Sequence, residues 1–310
     1  MAEANSDIKP PGGDSAVGLW SAVGAYALWG FLVIYWKELG TVPALEIMLH
    51  RLWWSFLLLV VYLLFVGKLR QSLKALRSLR VTLTLLGSGL LISCNWLLFI
   101  WAANDGQILA TSLGYFLVPI LNMVCGLVLF KDRLNRTQWL AVILAVMGVA
   151  VELAFAGRLP WVSLVLAVSF TAYGVLRKTV PVGAVTGLFI ETMLLAPLAL
   201  TLLLSMGLTD QLAFGGAGHK INTMLAMSGL VTTVPLLMFA HGTRNLRLTT
   251  LGLVQYLSPL SSMVLGIFLY GEELSLGMMF SFSFIWLGLC VYTWGSLRQH
   301  YRFRPAGRKR

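Results

Sequence analysis

Charged residues are scarce in this chain. They make up 11% of its 310 residues, whereas hydrophobic residues make up 58%, and the mean hydropathy is +0.82. Soluble domains average about 25% charged residues, so this chain cannot cover a surface that faces water. The composition therefore excludes an ordinary soluble domain and predicts an integral membrane protein.

The sequence also lacks the residue groupings on which most enzymes and metalloproteins depend. Its 3 cysteines fall in apolar segments without metal-ligand spacing, so packing roles are favoured over a disulfide or a metal site. It has no P-loop, no Asp-rich motif and no Ser/His/Asp set, which argues against ATP drive and against catalysis. We predict no cofactor and no metal. An intramembrane enzyme, such as a lipid-modifying transferase, and a channel stay open as alternatives to a transporter.

Long apolar runs are abundant by contrast. Each can cross roughly 30 Å of hydrocarbon as a helix of about 20 residues, and none shows the alternation of a membrane strand. The ten runs lie near 18–36, 45–66, 82–103, 108–130, 138–156, 160–177, 184–206, 221–241, 249–270 and 276–295. The sequence therefore predicts an all-α integral membrane protein with ten transmembrane helices.

Lys and Arg residues alternate between the predicted loops. With the N-terminus in the cytoplasm, 19 of the 23 fall in cytoplasmic segments, and the opposite face keeps only Lys37, Arg158 and Lys220. This bias follows the positive-inside rule and predicts that both termini are cytoplasmic. The net charge of +11 is spread over short loops and a terminal tail. It favours anionic lipids at the cytoplasmic face as partners and argues against nucleic acid.

Residues recur along the chain at a fixed offset of 140 positions. Pro119 recurs as Pro259 and Gly89 as Gly229. Each copy holds five predicted spans, an odd number, so the second copy enters the membrane from the opposite side. That is the inverted repeat of many secondary transporters. The predicted organisation is a disordered cytoplasmic tail over 1–17, one five-helix repeat over 18–156, a second over 160–295 and a basic cytoplasmic tail over 296–310.

Ionisable residues inside predicted spans are the first candidates for function, because they are unfavourable in lipid. Arg51 lies roughly 10 Å below the outer boundary. It either satisfies backbone carbonyls and snorkels, or binds a carboxylate, phosphate or other polar group of a solute. Glu191 lies in the seventh span, the repeat mate of the second. It forms a structural salt bridge, with Arg51 or another cation, or binds a proton during transport. For His50, helix packing is favoured over titration.

Deep amides and aromatics complete a candidate pocket between spans 2, 3, 4, 7, 8 and 9. Such a pocket, with one cation and one carboxylate, suits a small amphipathic organic solute. Pro119 and Pro259 each remove a backbone hydrogen bond, and their pairing favours hinges that line a cavity over simple packing kinks. The candidate substrate-binding residues are Arg51, His50, Asn95, Trp96, Tyr115, Glu191, Gln255 and Tyr256.

Several stretches together resemble the EamA-type permeases of the drug/metabolite transporter superfamily, and within it the RarD-type proteins associated with chloramphenicol sensitivity. They include AYALWGFLVIYWKEL (25–39), EIMLHRLWWS (46–55), NWLLFIWAAN (95–104), GLFIETMLLAP (187–197) and GLVQYLSPL (252–260). The resemblance covers about residues 18–295. It implies two inverted five-helix repeats around a central cavity in the bacterial inner membrane.

The resemblance also implies a secondary transporter that moves a small organic metabolite or drug-like solute by alternating access, without ATP. Such a protein is not an enzyme. The substrate itself, the direction of transport and protons as the coupling ion stay open. So does the choice between a monomer and a homodimer.

Overall fold

The computed structural model describes residues 15–129, 131, 134–246 and 248–302, and in this part of the chain every regular element is helical, with no strand. Eight helices are long and apolar enough to cross a membrane, which confirms an all-α membrane protein. The helices are α1 (Ala16–Glu38), α2 (Ala44–Phe65), α3 (Leu69–Leu73), α4 (Leu79–Asn104), α5 (Ile108–Leu129), α6 (Arg136–Ala156), α7 (Trp161–Thr179), α8 (Ala184–Leu208), α9 (Gly218–Asn245), α10 (Leu248–Val254), α11 (Leu257–Phe268) and α12 (Leu276–Arg302).

Two predicted spans do not meet the criterion of length and hydropathy that those eight helices meet. The sixth is α7, which has 19 residues and carries Arg177 and Lys178 in its last turn. The ninth is divided into α10 and α11 at Gln255 and Tyr256. Pro259 explains the division, because it has no N–H to donate to the carbonyl of Gln255. The expected symmetry of the two prolines is therefore incomplete, since α5 runs without a break through Pro119.

The predicted tails are shorter than expected where the structure describes them. Helix α1 already begins at Ala16, because the side chain of Ser15 accepts the N–H of Gly18 at 3.0 Å and caps the helix. Helix α12 continues to Arg302, so residues 296–302 are helical. The remainder of both predicted tails, 1–14 and 303–310, lies outside the described residues.

The connections of the bundle lie at two ends. We call the end with connections 39–43, 105–107, 157–160, 209–217 and 269–275 the distal end, and the other the proximal end. Two carboxylates tie the distal end together. Glu46 of α2 accepts the N–H groups of Ala213 and Phe214 at 3.0 and 2.9 Å. Glu272 accepts those of Ile108 and Leu109 at 2.7 and 2.8 Å, at the first turn of α5.

Helices α6 and α12 pack closely along glycines. A Cβ on Gly148 would lie 3.0 Å from the carbonyl oxygen of Ser281, and one on Gly288 would lie 3.1 Å from that of Ala141. Both pairs of positions, 141 with 281 and 148 with 288, are separated by the same 140 residues found in the sequence. The contact therefore has matching residues on its two sides, as a two-fold axis between the helices would produce.

Candidate functional site

The side chain of Arg51 is buried between two tryptophans. Its guanidinium carbon lies 3.8 Å from the ring centre of Trp96 on α4 and 5.1 Å from that of Trp36 on α1. Cation–π contact of this kind stabilises a guanidinium away from water. Within the described part of the chain, neither Nε of Arg51 nor Nε1 of Trp36 has an acceptor, and Arg51 forms no ion pair. Two buried donors therefore lie near each other with their hydrogen bonds unmade.

Glu191 has the partners that Arg51 lacks. Its Oε1 accepts the hydroxyl of Ser88 on α4 at 2.5 Å and lies 3.6 Å from Nε of Arg177 on α7. The predicted pair between Glu191 and Arg51 is therefore wrong, because α7 brings a different cation against α8. Gly187 makes this approach sterically feasible, since a Cβ there would lie 1.7 Å from Nη1 of Arg177.

Sequence reasoning assigned Arg177 to a cytoplasmic loop and did not identify Ser88. The arginine is instead 14% exposed and lies in the last turn of α7. A signal for Ser88 was present in the sequence, because Ser88-Gly89 recurs as Ser228-Gly229 at the repeat offset. A small pair repeated in mid-helix indicates close helix packing, and Gly89 does lie against Glu191, with a Cβ position 3.3 Å from its Cβ.

Arg51 and Glu191 occupy equivalent positions of the two copies, since they too are 140 residues apart. Arg51 lies seven residues after the start of α2, and Glu191 seven residues after the start of α8. At 1.5 Å per residue, each lies about 10 Å from its own end of the bundle, Arg51 from the distal and Glu191 from the proximal end. The two charges therefore lie at similar depths measured from opposite ends.

A narrow seam joins the surroundings of these two charges. It runs beside α4 from Trp96 to Glu191, and it leaves no space for water. The seam is lined by Leu52, Gly89, Ile92, Ser93, Trp96, Leu188, Glu191, Thr192 and Leu195. The predicted central cavity is therefore closed along this path in the present structure.

Asn95 and Tyr115 lie near this cluster, but their polar groups are engaged with the protein. Nδ2 of Asn95 donates to the carbonyl of Leu166 and to the hydroxyl of Ser169, both at 3.0 Å. Its Oδ1 accepts the hydroxyl of Tyr115 at 2.9 Å. Because both N–H groups of the amide are used, Asn95 holds α4, α5 and α7 together in this state.

The structure places the other predicted site residues elsewhere. His50 accepts from Nε1 of Trp54 at 3.1 Å, and its ring lies 4.8 Å from that of Phe214, beside the connection that Glu46 binds. Tyr256 stacks on Phe116 with ring centres 6.4 Å apart. Gln255 lies next to it, at the break between α10 and α11. These contacts make His50 part of the distal loop packing and place Tyr256 in the contact between α11 and α5.

Comparison with known proteins identifies the relatives of this chain. The EamA-like transporter family model matches residues 16–153. An uncharacterized transporter of Vibrio cholerae is 38% identical over 96% of this chain and 99% of its own length. Protein RarD of Escherichia coli is 42% identical over 89% of this chain and 93% of its own. The chloramphenicol-sensitive protein RarD of Pseudomonas aeruginosa is 30% identical over 92% and 96%.

A solved crystal structure shares the fold at 19% identity, with a TM-score of 0.56 over 88% of this chain and 96% of that chain. The apolar helices and the relatives together define a multi-pass membrane protein of the transporter class. The chain belongs to the EamA family and, within it, to the RarD-type permeases.

Proposed function

We propose that this protein is a secondary transporter that carries a small organic solute with an acidic group across the bacterial inner membrane. The observation that carries the proposal is the pair of buried donors, Arg51 Nε and Trp36 Nε1, that have no acceptor. A carboxylate or phosphate would accept from such donors, and charge-assisted bonds of this kind are strong. The ring of Trp96 over the guanidinium would contact the apolar part of the same solute.

The proposed architecture is two inverted five-helix repeats, with α7 as the sixth span and α10 with α11 as the ninth. The matched glycine contacts of α6 and α12 support it. The equivalent positions of Arg51 and Glu191 support it as well. The family match over 16–153 nearly coincides with the proposed first repeat, 18–156. In this arrangement the termini are cytoplasmic and the distal end, which carries few cations, is extracytoplasmic.

Alternating access gives the two charges different tasks. The carboxylates Glu46 and Glu272 hold the distal end closed through backbone N–H groups of neighbouring segments, and the ion pair of Glu191 with Arg177 joins α7 and α8 nearer the proximal end. Opening at either end requires the contacts at that end to part while those at the other persist. A solute bound at Arg51 would compensate the buried cation and so lower the free energy of the occluded state.

A binding experiment tests the acidic group. Purified protein would be screened by thermal shift against amino acids, nucleosides and amphenicols, and each carboxylate would be compared with its carboxamide. A ligand that binds only the folded form raises the apparent stability, so a carboxylate should raise the melting temperature more than its amide does. In Arg51→Met this difference should vanish. Equal shifts for every acid and its amide in the wild type would refute the acidic substrate.

A flux experiment tests the transport mechanism with a solute identified in that screen. Proteoliposomes loaded with unlabelled solute should take up labelled solute faster than empty ones, because a carrier shows exchange and a channel does not. The solute should be recovered chemically unchanged, as a transporter requires and an enzyme does not. Arg51→Ala and Glu191→Gln should lose uptake while folded, and Lys37→Gln, a change at the distal end, should keep it. Full uptake in both core variants would remove Arg51 and Glu191 from the mechanism.

A further inference from the structure

A second cavity, of about 510 Å³, lies at the distal end and has no lining residue in common with the cluster around Arg51. Its walls are the last turns of α4 and α6, the connection 157–160, and the first turns of α5, α7 and α12. Glu152, Arg158 and Glu273 line it. Arg158 and Glu273 are exposed at its rim, so the cavity opens at the surface. Two carboxylates against one guanidinium give the lining an excess of negative charge.

Glu152 is the buried member of this set. It is 4% exposed, and among the residues that the structure describes its Oε2 has no hydrogen-bond donor. Arg158 acts on it electrostatically but does not come within ion-pair distance. Gly277 leaves the space beside this oxygen, since a Cβ there would lie 3.0 Å from Oε2. A carboxylate oxygen held in such a position is an acceptor without a partner.

The structural alternative for Glu152 is a charge that stabilises the N-terminus of α12. Ser275 already accepts the N–H of Met278 there, at 3.1 Å, so the first turn of this helix has a side-chain cap. A purely structural role also leaves Oε2 unbonded within a cavity large enough for a ligand. Both facts favour a site that is completed by a donor from outside the protein.

We propose that this cavity binds a primary ammonium group that carries an anionic group a few bonds away. The ammonium donates to Oε2 of Glu152, and the anionic group faces Arg158. Trp101 and Trp161, whose rings lie 5.6 Å apart, form an aromatic wall beside the ammonium. A phosphatidylethanolamine headgroup has this chemistry, and so does a free zwitterion such as glycerophosphoethanolamine.

Lipid selectivity in the wild-type protein tests the ammonium. Delipidated protein in detergent would be titrated with phosphatidylethanolamine, phosphatidylcholine and phosphatidylglycerol of identical acyl chains, with native mass spectrometry and thermal shift as readouts. We expect an apparent Kd for the ethanolamine lipid about tenfold below that for the choline lipid, because a quaternary ammonium has no N–H to donate. Equal affinity for the ethanolamine and choline lipids would overturn the proposal, whatever the variants do.

Variants then assign the selectivity to Glu152. Glu152→Gln should reduce the tenfold preference to near unity, and Glu273→Gln, at the exposed rim, should leave it. Preference retained in folded Glu152→Gln would overturn the assignment. Glycerophosphoethanolamine distinguishes the two sources. An affinity about a hundredfold below that of the lipid supports a lipid headgroup, whereas an equal affinity supports a free zwitterion. These readouts measure binding alone, so they are independent of whether the protein transports a solute at Arg51.

Discussion

Arg51 and Glu191 stand at the same position of the two repeats, yet their surroundings differ. The carboxylate of Glu191 is bonded to Ser88 and lies 3.6 Å from Nε of Arg177. The guanidinium of Arg51 has aromatic rings on its faces and an Nε without an acceptor. Burying a charge is unfavourable unless it is paired, so only one of the two positions is internally satisfied.

The difference shows how a duplicated fold can acquire separate tasks. The repeat places a charged residue at similar depths from the two ends, and the neighbouring helices decide what meets it. At Glu191 the neighbour is α7, which supplies a cation. At Arg51 the neighbours are α1 and α4, which supply tryptophans. A paired charge suits a contact that opens and closes, whereas an unpaired one suits a ligand.

The largest expected effect comes from removing the carboxylate of the satisfied pair. Glu191→Ala leaves Arg177 without its counter-charge, and losing one partner of a buried pair destabilises by about 3–5 kcal/mol. The free energy of unfolding would be measured by SDS titration in mixed micelles. Adding Arg177→Met to this variant should recover most of the loss. Losses that simply add in the double variant would show that the two residues are not coupled.

Glycines at equivalent positions offer the next comparison. A Cβ on Gly229 would lie 2.4–2.7 Å from the backbone of Trp54 and Ser55, close to Arg51 along α2, whereas one on Gly89 would lie 3.3 Å from its nearest neighbours. Gly229→Ala should therefore destabilise by about 3 kcal/mol through overpacking, and Gly89→Ala by less than about 1 kcal/mol. Thermal unfolding of both variants in one detergent checks this order. The reverse order would mean that α9 is not held against α2 as closely as the structure shows.

The ion pair can also be disturbed without removing a charge. A side chain at Gly187 would occupy the place of the Arg177 guanidinium, so Gly187→Ala should separate it from Glu191 and destabilise by about 2 kcal/mol. Gly174 on α7 has nothing within 4 Å of its Cβ position. Gly174→Ala is the matched control, and it should stabilise by about 0.5–1 kcal/mol through its better helix propensity. Equal effects of the two variants would show that the pair contributes nothing to stability.

Much of this arrangement could be predicted from residues that recur. Hydropathy located the spans, and the spacing of 140 residues paired Pro119 with Pro259 and Gly89 with Gly229. The partner of Glu191 could not be predicted, because a basic residue at a predicted span end has the pattern of a loop cation. The break at Gln255 also escaped prediction, since Pro119 shows that the same residue is tolerated within a continuous helix.

Two predicted site residues, His50 and Asn95, show a further limit of sequence reasoning. Their residue types suit solute binding, but their contacts are set by segments far along the chain. The ring of His50 lies against Phe214, and Asn95 donates to Leu166 and Ser169. Which donors and acceptors are already used within the protein depends on helix packing, and the pattern of one helix does not contain that information.

The smallest expected effect on stability falls at the unsatisfied charge. Arg51→Met removes a buried cation that has no carboxylate partner and keeps a side chain of similar length, whose sulfur packs well on Trp96 and Trp36. Replacing buried charges by apolar residues is often neutral or stabilising, so the free energy of unfolding should fall by less than about 1 kcal/mol or rise. Arg51→Ala leaves a void and should lose about 2 kcal/mol more than Arg51→Met. A loss above about 3 kcal/mol in Arg51→Met would mean that the guanidinium holds the fold together. The contrast with Glu191 would then no longer distinguish a binding site from a structural pair.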